Sequence, residues 1–341
     1  LENAAVLIDA GGAVRARSAK RFLWHFDRAW FVPGRESPVA DGIGMLVCAD
    51  ARLPEIGADL AVRGARIIAN PTAWVTALPP PEGTNSQAEF LWRVRALENG
   101  VVGVAATKVG TEAETVIYSG RSQIVAADGR VLAIASATEP ELLVADVEVP
   151  DRERTERRDS TAKSRGPVAR SVYRPPLRDG FVQVAVLTHD DLLGRLAGHG
   201  VDLAVGPGGV LRQGDQAVVT FSGDELLDPR PARAAALAGA EFVVWLADGV
   251  FTPMVEEVAR TRALENRVFM LVWRPYDGGG PFVVDPGGAV IAAAPRLAAS
   301  RFAVQAACLR AAAATKVMAP ATDAWEAVLA LDLGLRDRPR P

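Results

Sequence analysis

Apolar residues in this chain fall into short runs separated by stretches of helical spacing, the arrangement expected of an α/β protein. Ala4-Ala5-Val6-Leu7-Ile8 reads as a strand, and the Gly11-Gly12 pair as the turn after it. Gly42 to Val47 reads as a buried strand running into Cys48. Pro54 to Arg63 reads as a helix, since proline suits a first helical turn. Arg66 to Asn70 is the next strand, stopped by Pro71, and Glu89 to Asn99 the next helix. Val101 to Thr107 is a strand; Arg121 to Ala126 and Arg130 to Ala135 form a hairpin about Asp128-Gly129. Leu142 to Val149 is expected to add one more strand. From Asp151 to Arg165 the chain is charged and lacks apolar runs, which reads as a linker ending near Pro175-Pro176. Phe181 to Leu187 then opens a second half.

The halves repeat one another. Asp50 to Ala65 aligns with Glu225 to Ala240, so that Pro54 pairs with Pro229 and Gly64-Ala65 with Gly239-Ala240, at a constant offset of 175 residues. Arg93-Val94-Arg95-Ala96-Leu97-Glu98-Asn99 returns as Arg260-Thr261-Arg262-Ala263-Leu264-Glu265-Asn266. Asp128-Gly129-Arg130-Val131 corresponds to Pro286-Gly287-Gly288-Ala289. Two unrelated helices of similar composition would not preserve Arg-x-Arg-Ala-Leu-Glu-Asn, and a period this long indicates duplicated domains and not a solenoid.

Composition narrows the function classes. The chain has 341 residues, 49% hydrophobic and 23% charged, enough for two globular cores. Lys and Arg number 38 against 41 Asp and Glu, a net charge of -3, so neither a nucleic-acid nor a membrane partner is expected. The two cysteines, Cys48 and Cys308, do not make a disulfide framework, and a cytoplasmic setting fits them. No apolar run is long enough to span a bilayer, and no signal peptide is evident. Residue 1 is Leu and a strand begins at Ala4, which suggests that the natural N-terminus lies upstream.

Cys48 stands where a buried strand ends and a helix is about to begin. Such turns project a side chain, offer backbone N–H groups to an oxyanion, and favour thiolate through the helix field. Alone, a cysteine at a strand end is more often a small packing residue. Lys20 precedes an aromatic stretch from Phe22 to Phe31 and can be desolvated there as a donor beside an anion, although most lysines are solvated.

The ordered set is more specific. It comprises Lys20-Arg21-Phe22-Leu23, Phe31-Val32-Pro33-Gly34, Val47-Cys48-Ala49-Asp50-Ala51-Arg52-Leu53-Pro54-Glu55, Gly64-Ala65, Asn70-Pro71-Thr72-Ala73-Trp74, Ala96-Leu97-Glu98-Asn99 and Tyr118-Ser119-Gly120-Arg121-Ser122. In this order it resembles the carbon–nitrogen hydrolase (nitrilase-like) family, well over residues 3–178 and in degenerate form over 181–300. The resemblance implies an α/β nitrilase-like αββα four-layer sandwich in two tandem copies. Residues 1–178 would be a hydrolase domain lacking its opening strands, and 179–341 a degenerate copy with a C-terminal tail.

What the resemblance implies for chemistry is a Glu–Lys–Cys triad. Cys48 would attack an amide, carbamoyl or nitrile carbon and form a thioester. Lys20 would stabilise the oxyanion with the Ala49 backbone N–H as second donor. Asp27 matches a position usually held by glutamate that assists the triad, one methylene shorter here. Trp74 would line the substrate pocket, Glu98 would pair structurally with an arginine or backbone, and Thr107 replaces a frequent Asn. The triad glutamate belongs about a hundred residues before the cysteine, upstream of Leu1. In the second half Gly208 stands at the glutamate position and Gly223 at that of Cys48, and the lysine segment is nearly absent, so that half reads as catalytically dead.

The expected partner is a small-molecule amide, carbamoyl compound or nitrile, with a homo-oligomer or an intramolecular pseudo-dimer as the assembly. No cofactor and no metal is expected, since the three histidines, His25, His189 and His199, are scattered. Cys308 reads as packing. A catalytically inactive scaffold or binding protein is the alternative, and acyl transfer to an amine a third reading. The substrate within these classes is not legible.

Overall fold

In a computed structural model of the chain, residues 1–24, 27–80, 82–151, 181–187, 201–214, 217–250, 253–275, 279–293 and 305–310 are described. They belong to two compact units, with 1–151 in the first and 181–310 in the second.

The first unit opens with an antiparallel hairpin, β1 (Ala4–Ile8) and β2 (Val14–Ala19). A one-turn helix α1 (Asp27–Trp30) follows. Strands β3 (Val39–Ala40) and β4 (Ile43–Met45) lead into a tight turn at Cys48–Arg52 and helix α2 (Pro54–Val62), with Pro54 in its first turn. Next come β5 (Ile67–Pro71), β6 (Val75–Thr76) and helix α3 (Trp92–Asn99). Helix α3 is entered through a wide turn at Gln87–Leu91 and ends at Gly100 in a left-handed cap. Strands β7 (Val102–Ala106), β8 (Thr111–Glu112), β9 (Val116–Tyr118), β10 (Gln123–Val125) and β11 (Val131–Ile134) complete it.

Six strands form one sheet in the order β11-β10-β7-β5-β4-β3, with β4, β5 and β7 parallel and the outer pairs antiparallel. Alternation along β4 sends Met45 toward the hairpin, where it packs with Ala5, Ala16 and Val47. On the helix side small residues let α3 approach, since a Cβ on Gly103 would lie 3.1 Å from the Trp92 ring. The sheet is therefore covered by the hairpin on one face and by helices on the other.

The second unit contains β12 (Phe181–Val186), β13 (Leu203–Gly206), β14 (Gly209–Gln213), β15 (Val218–Ser222), helix α4 (Pro229–Leu237), β16 (Phe242–Leu246), helix α5 (Val255–Asn266), β17 (Phe269–Trp273), β18 (Phe282–Val284), β19 (Val290–Ala293) and β20 (Gln305–Arg310). One sheet is ordered β14-β13-β12-β20 and the other β15-β16-β17-β18-β19. Val184, Val186, Leu203 and Val205 of the first interdigitate with Phe242, Val244, Phe269, Leu271 and Val283 of the second in one dry core. Phe242 and Phe269 stack at 5.2 Å between ring centroids, an arrangement worth about 0.5–1.5 kcal/mol beyond its area.

The sequence repeat has a counterpart in hydrogen bonds within each unit. Strands β15 to β19 run in the same order and directions as β4, β5, β7, β10 and β11. In the first unit Arg95 donates to Ala51 O at 2.7 Å and pairs with Glu98 at 2.5 Å; in the second Arg262 donates to Leu226 O at 3.0 Å and pairs with Glu265 at 2.8 Å. Arg93 reaches Gly129 O at 3.1 Å as Arg260 reaches Gly288 O at 2.8 Å. Asn99 and Asn266 each cap the carbonyl four residues back at 2.9 Å. The retained motif is therefore a brace: its arginine holds the carbonyls of the turn that precedes the first helix.

One expected strand is absent. Residues 142–149 form no strand and pair with none among the described residues, and Leu142 and Val144 are 88% and 83% exposed. Alternation suggested a strand, but a strand requires a neighbouring edge to take its backbone groups. Pro71, read as a stop, is instead the last residue of β5.

The Arg262–Glu265 pair is fully buried. Arg262→Met strands the carboxylate, and guanidinium unfolding is expected to show a loss of about 3–5 kcal/mol. The double variant Arg262→Met with Glu265→Leu is expected to recover most of it.

Candidate active site

The site is assembled from two segments far apart in sequence. The first is the end of the hairpin. Lys20 follows β2 directly; its N–H donates to Asn3 O at 2.7 Å and its carbonyl accepts from Gly34 N–H at 2.8 Å. Gly34 is required at that crossing, since a Cβ there would lie 2.4 Å from Ala19 O. The Lys20 side chain is 4% exposed and its ammonium meets Asp27 Oδ2 at 2.5 Å. A buried ammonium needs such a partner. Asp27 is itself fixed, because the Trp24 N–H donates to the same oxygen at 3.0 Å.

The second segment is the turn after β4. Cys48 has a left-handed backbone with φ of 52°, a conformation that costs a non-glycine residue about 1–2 kcal/mol. Three groups hold the turn. The Cys48 N–H donates to Asn70 Oδ1 at 2.7 Å. The Val47 N–H donates to Asp50 Oδ2 at 2.9 Å. Arg95, from α3, takes Ala51 O at 2.7 Å. The Cys48 thiol is half-buried and donates to Ala73 O at 3.9 Å. Ala49 is 2% exposed.

Asp50 joins the two segments. Its Oδ1 accepts from the N–H groups of Arg21 at 3.0 Å and Phe22 at 2.7 Å, while Oδ2 accepts from Val47. Arg21 adds a second tie, an ion pair to buried Asp59 of α2 at 2.9 Å. Burial pushes the Asp50 carboxyl from 3.8 up to about 6, against the three backbone N–H groups and the Lys20 charge, which all favour the anion.

Of the residues singled out from sequence, the structure brings Lys20 and Asp27 into contact and ties their segment to the turn bearing Cys48 and Ala49. Trp74 is fully enclosed, with its N–H donating to Thr107 Oγ1 at 3.0 Å and its carbonyl accepting from Ser119 N–H at 2.8 Å. Thr107 thus serves the segment between β5 and β6 that carries Trp74. Glu98 pairs with Arg95. His25, His189 and His199 lie outside the described residues, as does the Cys308 side chain. Among the described residues no group of three His, Cys, Asp or Glu could hold a metal ion, and no helix is long and apolar enough to cross a membrane. Sequence reasoning missed Asp50 and Asn70 as holders of the turn. Asp50 two residues after the cysteine, a carboxylate set between Ala49 and Ala51, was the available signal for the first.

A hairpin and helices flanking a mixed sheet, with a cysteine in the turn after the strand that precedes the first long helix, place the first unit in the nitrilase-like α/β class. Residues 1–157 match the family described as carbon-nitrogen hydrolase. It is 32% identical over 154 residues to a nitrilase of Pyrococcus abyssi, covering 44% of this chain and 55% of the relative. It is 33% identical over 152 residues to the deaminated glutathione amidase of Homo sapiens, covering 39% and 44%. A carbon-nitrogen hydrolase of Helicobacter pylori G27 shares 26% identity over 48% of this chain and 62% of its own, with a TM-score of 0.41. The chain spans about half the length of the curated relatives it matches.

Asp50→Asn exchanges one acceptor oxygen for a donor facing a backbone N–H, at an expected cost of about 1–3 kcal/mol. The carboxyl is raised, so between pH 4 and 6 the folded state keeps a proton that the unfolded chain has released. Wild-type stability therefore falls as pH rises through that window, by on the order of 3 kcal/mol from this group. Denaturant midpoints against pH are expected to be flatter in the variant.

Proposed function

We propose that the first unit carries the nucleophile of a carbon–nitrogen hydrolase acting on a small amide, carbamoyl compound or nitrile. The observation that carries this reading is the tethering of a buried Lys20 segment to a left-handed cysteine turn through Asp50. Cys48 attacks the carbon. With an amide or carbamoyl substrate the thioester forms as the protonated amine or ammonia leaves; with a nitrile a thioimidate forms that water converts to the thioester with loss of ammonia. A further water hydrolyses the thioester to the acid and the free thiol. Lys20 Nζ and the Ala49 N–H take the developing oxyanion. Asp27 acts on Lys20, fixing the ammonium and balancing its charge. Trp74 contributes to the wall behind Ala73. Relatives named as a nitrilase and an amidase support the choice of bond.

We further propose that residues 179–341 are a degenerate copy of the same domain. Matched strand order and the repeated arginine brace support it. Gly223, with φ of 55°, occupies the position of Cys48 and offers no nucleophile. The chemistry is accordingly assigned to the first unit alone.

The test uses the full chain with a panel of aliphatic amides, carbamoyl amino acids and nitriles, following ammonia release and acyl adducts by mass spectrometry. An adduct on the Cys48 peptide, absent in Cys48→Ala, is expected. Lys20→Met is expected to slow its formation at least about 100-fold. Turnover that survives Cys48→Ala, or a wild type that neither turns over nor acylates with any member, overturns the reading; in the latter case the chain is an inactive scaffold.

A further inference from the structure

The turn at Cys48 and the turn at Gly223 differ at one step of the parallel ladder. In the second unit β15 stays paired with β16 to Ser222–Leu246, and the ladder runs one step more, with the Gly223 N–H donating to Leu246 O at 2.9 Å. In the first unit the β4–β5 ladder ends with the Leu46 N–H on Ala69 O at 3.1 Å. The chain then leaves β5, and the next gap is bridged by a side chain: Asn70 Oδ1 takes the Cys48 N–H at 2.7 Å. At the matching position the second unit has Trp245, whose indole N–H donates to Gly223 O at 2.8 Å.

Asn70 is 1% exposed, and its Nδ2 finds no partner among the described residues. Burying an amide with one donor unmet costs about 1–3 kcal/mol, so stability alone does not favour asparagine there. The two turns share their left-handed backbone, with φ of 52° and 55°, yet only the cysteine is strained by it, because glycine adopts that region freely. The side-chain bridge is present where the strain is.

We infer that Asn70 is a positioning residue: by replacing a ladder bond with its side-chain carbonyl it holds Cys48 away from β5 in the left-handed turn, and so sets the direction of the thiol and of the Ala49 N–H. The inference rests on the reading of Cys48 as the nucleophile. Asn70 itself forms no bond to the reacting atoms. Its effect reaches chemistry through the Cys48 backbone.

The experiment is alkylation of Cys48 by iodoacetamide in the full chain, read on its peptide by mass spectrometry across pH, so that Cys308 does not interfere. The rate at high pH, where the thiolate is complete, reports geometry; the midpoint reports charge. Asn70→Leu and Asn70→Ala, with the unfolding temperature checked, are expected to lower the high-pH rate at least about tenfold. Asn70→Asp keeps an acceptor of the same size and is expected to restore that rate to within about threefold while moving the midpoint upward, since an anion then faces the thiolate. A folded Asn70→Leu or Asn70→Ala protein that alkylates at the wild-type rate overturns the inference. Should neither fold, Asn70→Asp decides: an unmoved midpoint means that the side chain at 70 does not govern Cys48. Alkylation needs no turnover, so an inactive wild type would refute the hydrolase reading and leave this comparison intact.

Discussion

The carboxylate of Asp50 is the constraint on which the site depends. Two oxygens serve three backbone N–H groups, two at the end of the hairpin and one in the cysteine turn. Without it the hairpin end and the turn are separate loops, each with unmet donors in a dry interior. Burial works against its charge while the N–H groups and Lys20 work for it, leaving its carboxyl at about 6. The group that spaces Lys20 from Cys48 is thus near its own titration at neutral pH, and a proton on it weakens the bonds that set the spacing.

Around this tie the groups that support the turn are distinct from the side chain the turn presents. Arg95, paired with Glu98, sits beneath the turn and holds its carbonyls, which exist whatever side chain the turn carries. Arg262, paired with Glu265, does the same beneath a turn with glycine at its head. On the proposal of a duplicated domain, the brace persisted because losing one member buries an unpaired charge, whereas exchanging cysteine for glycine relieves backbone strain. Stability preserves the first and is indifferent or favourable to the loss of the second.

The elements were legible where periodicity was backed by a partner. Strands β4, β5 and β7 and helix α2 lie where apolar spacing placed them, within a residue or two, and α3 starts three residues later than expected, after the wide turn at Gln87–Leu91. Residues 142–149 show the limit, since alternation describes a side-chain pattern and does not supply an edge to pair with. Within the site, Lys20 and Asp27 are seven residues apart and their pairing is local. Asp50 acts on Phe22 across 28 residues and Asn70 on Cys48 across 22, and no local pattern encodes such distances. The repeat was legible for a physical reason: both arginines, the glutamate and the asparagine of its motif each make a contact that reappears in the other unit.

The early end of the β4–β5 ladder links fold to chemistry. On the proposal that Cys48 is a nucleophile, the cysteine must leave the ladder to project, and leaving it orphans an N–H and puts a left-handed turn on a side chain that resists one. The first unit meets the orphan with Asn70 and the strain with the arginine brace and Asp50. The second continues the ladder to Gly223 and lays the Trp245 indole against its carbonyl, the stable arrangement when nothing need project. Each unit is locally consistent, and the difference between them is the cost, a few kcal/mol at most, of holding one cysteine out of register with the sheet.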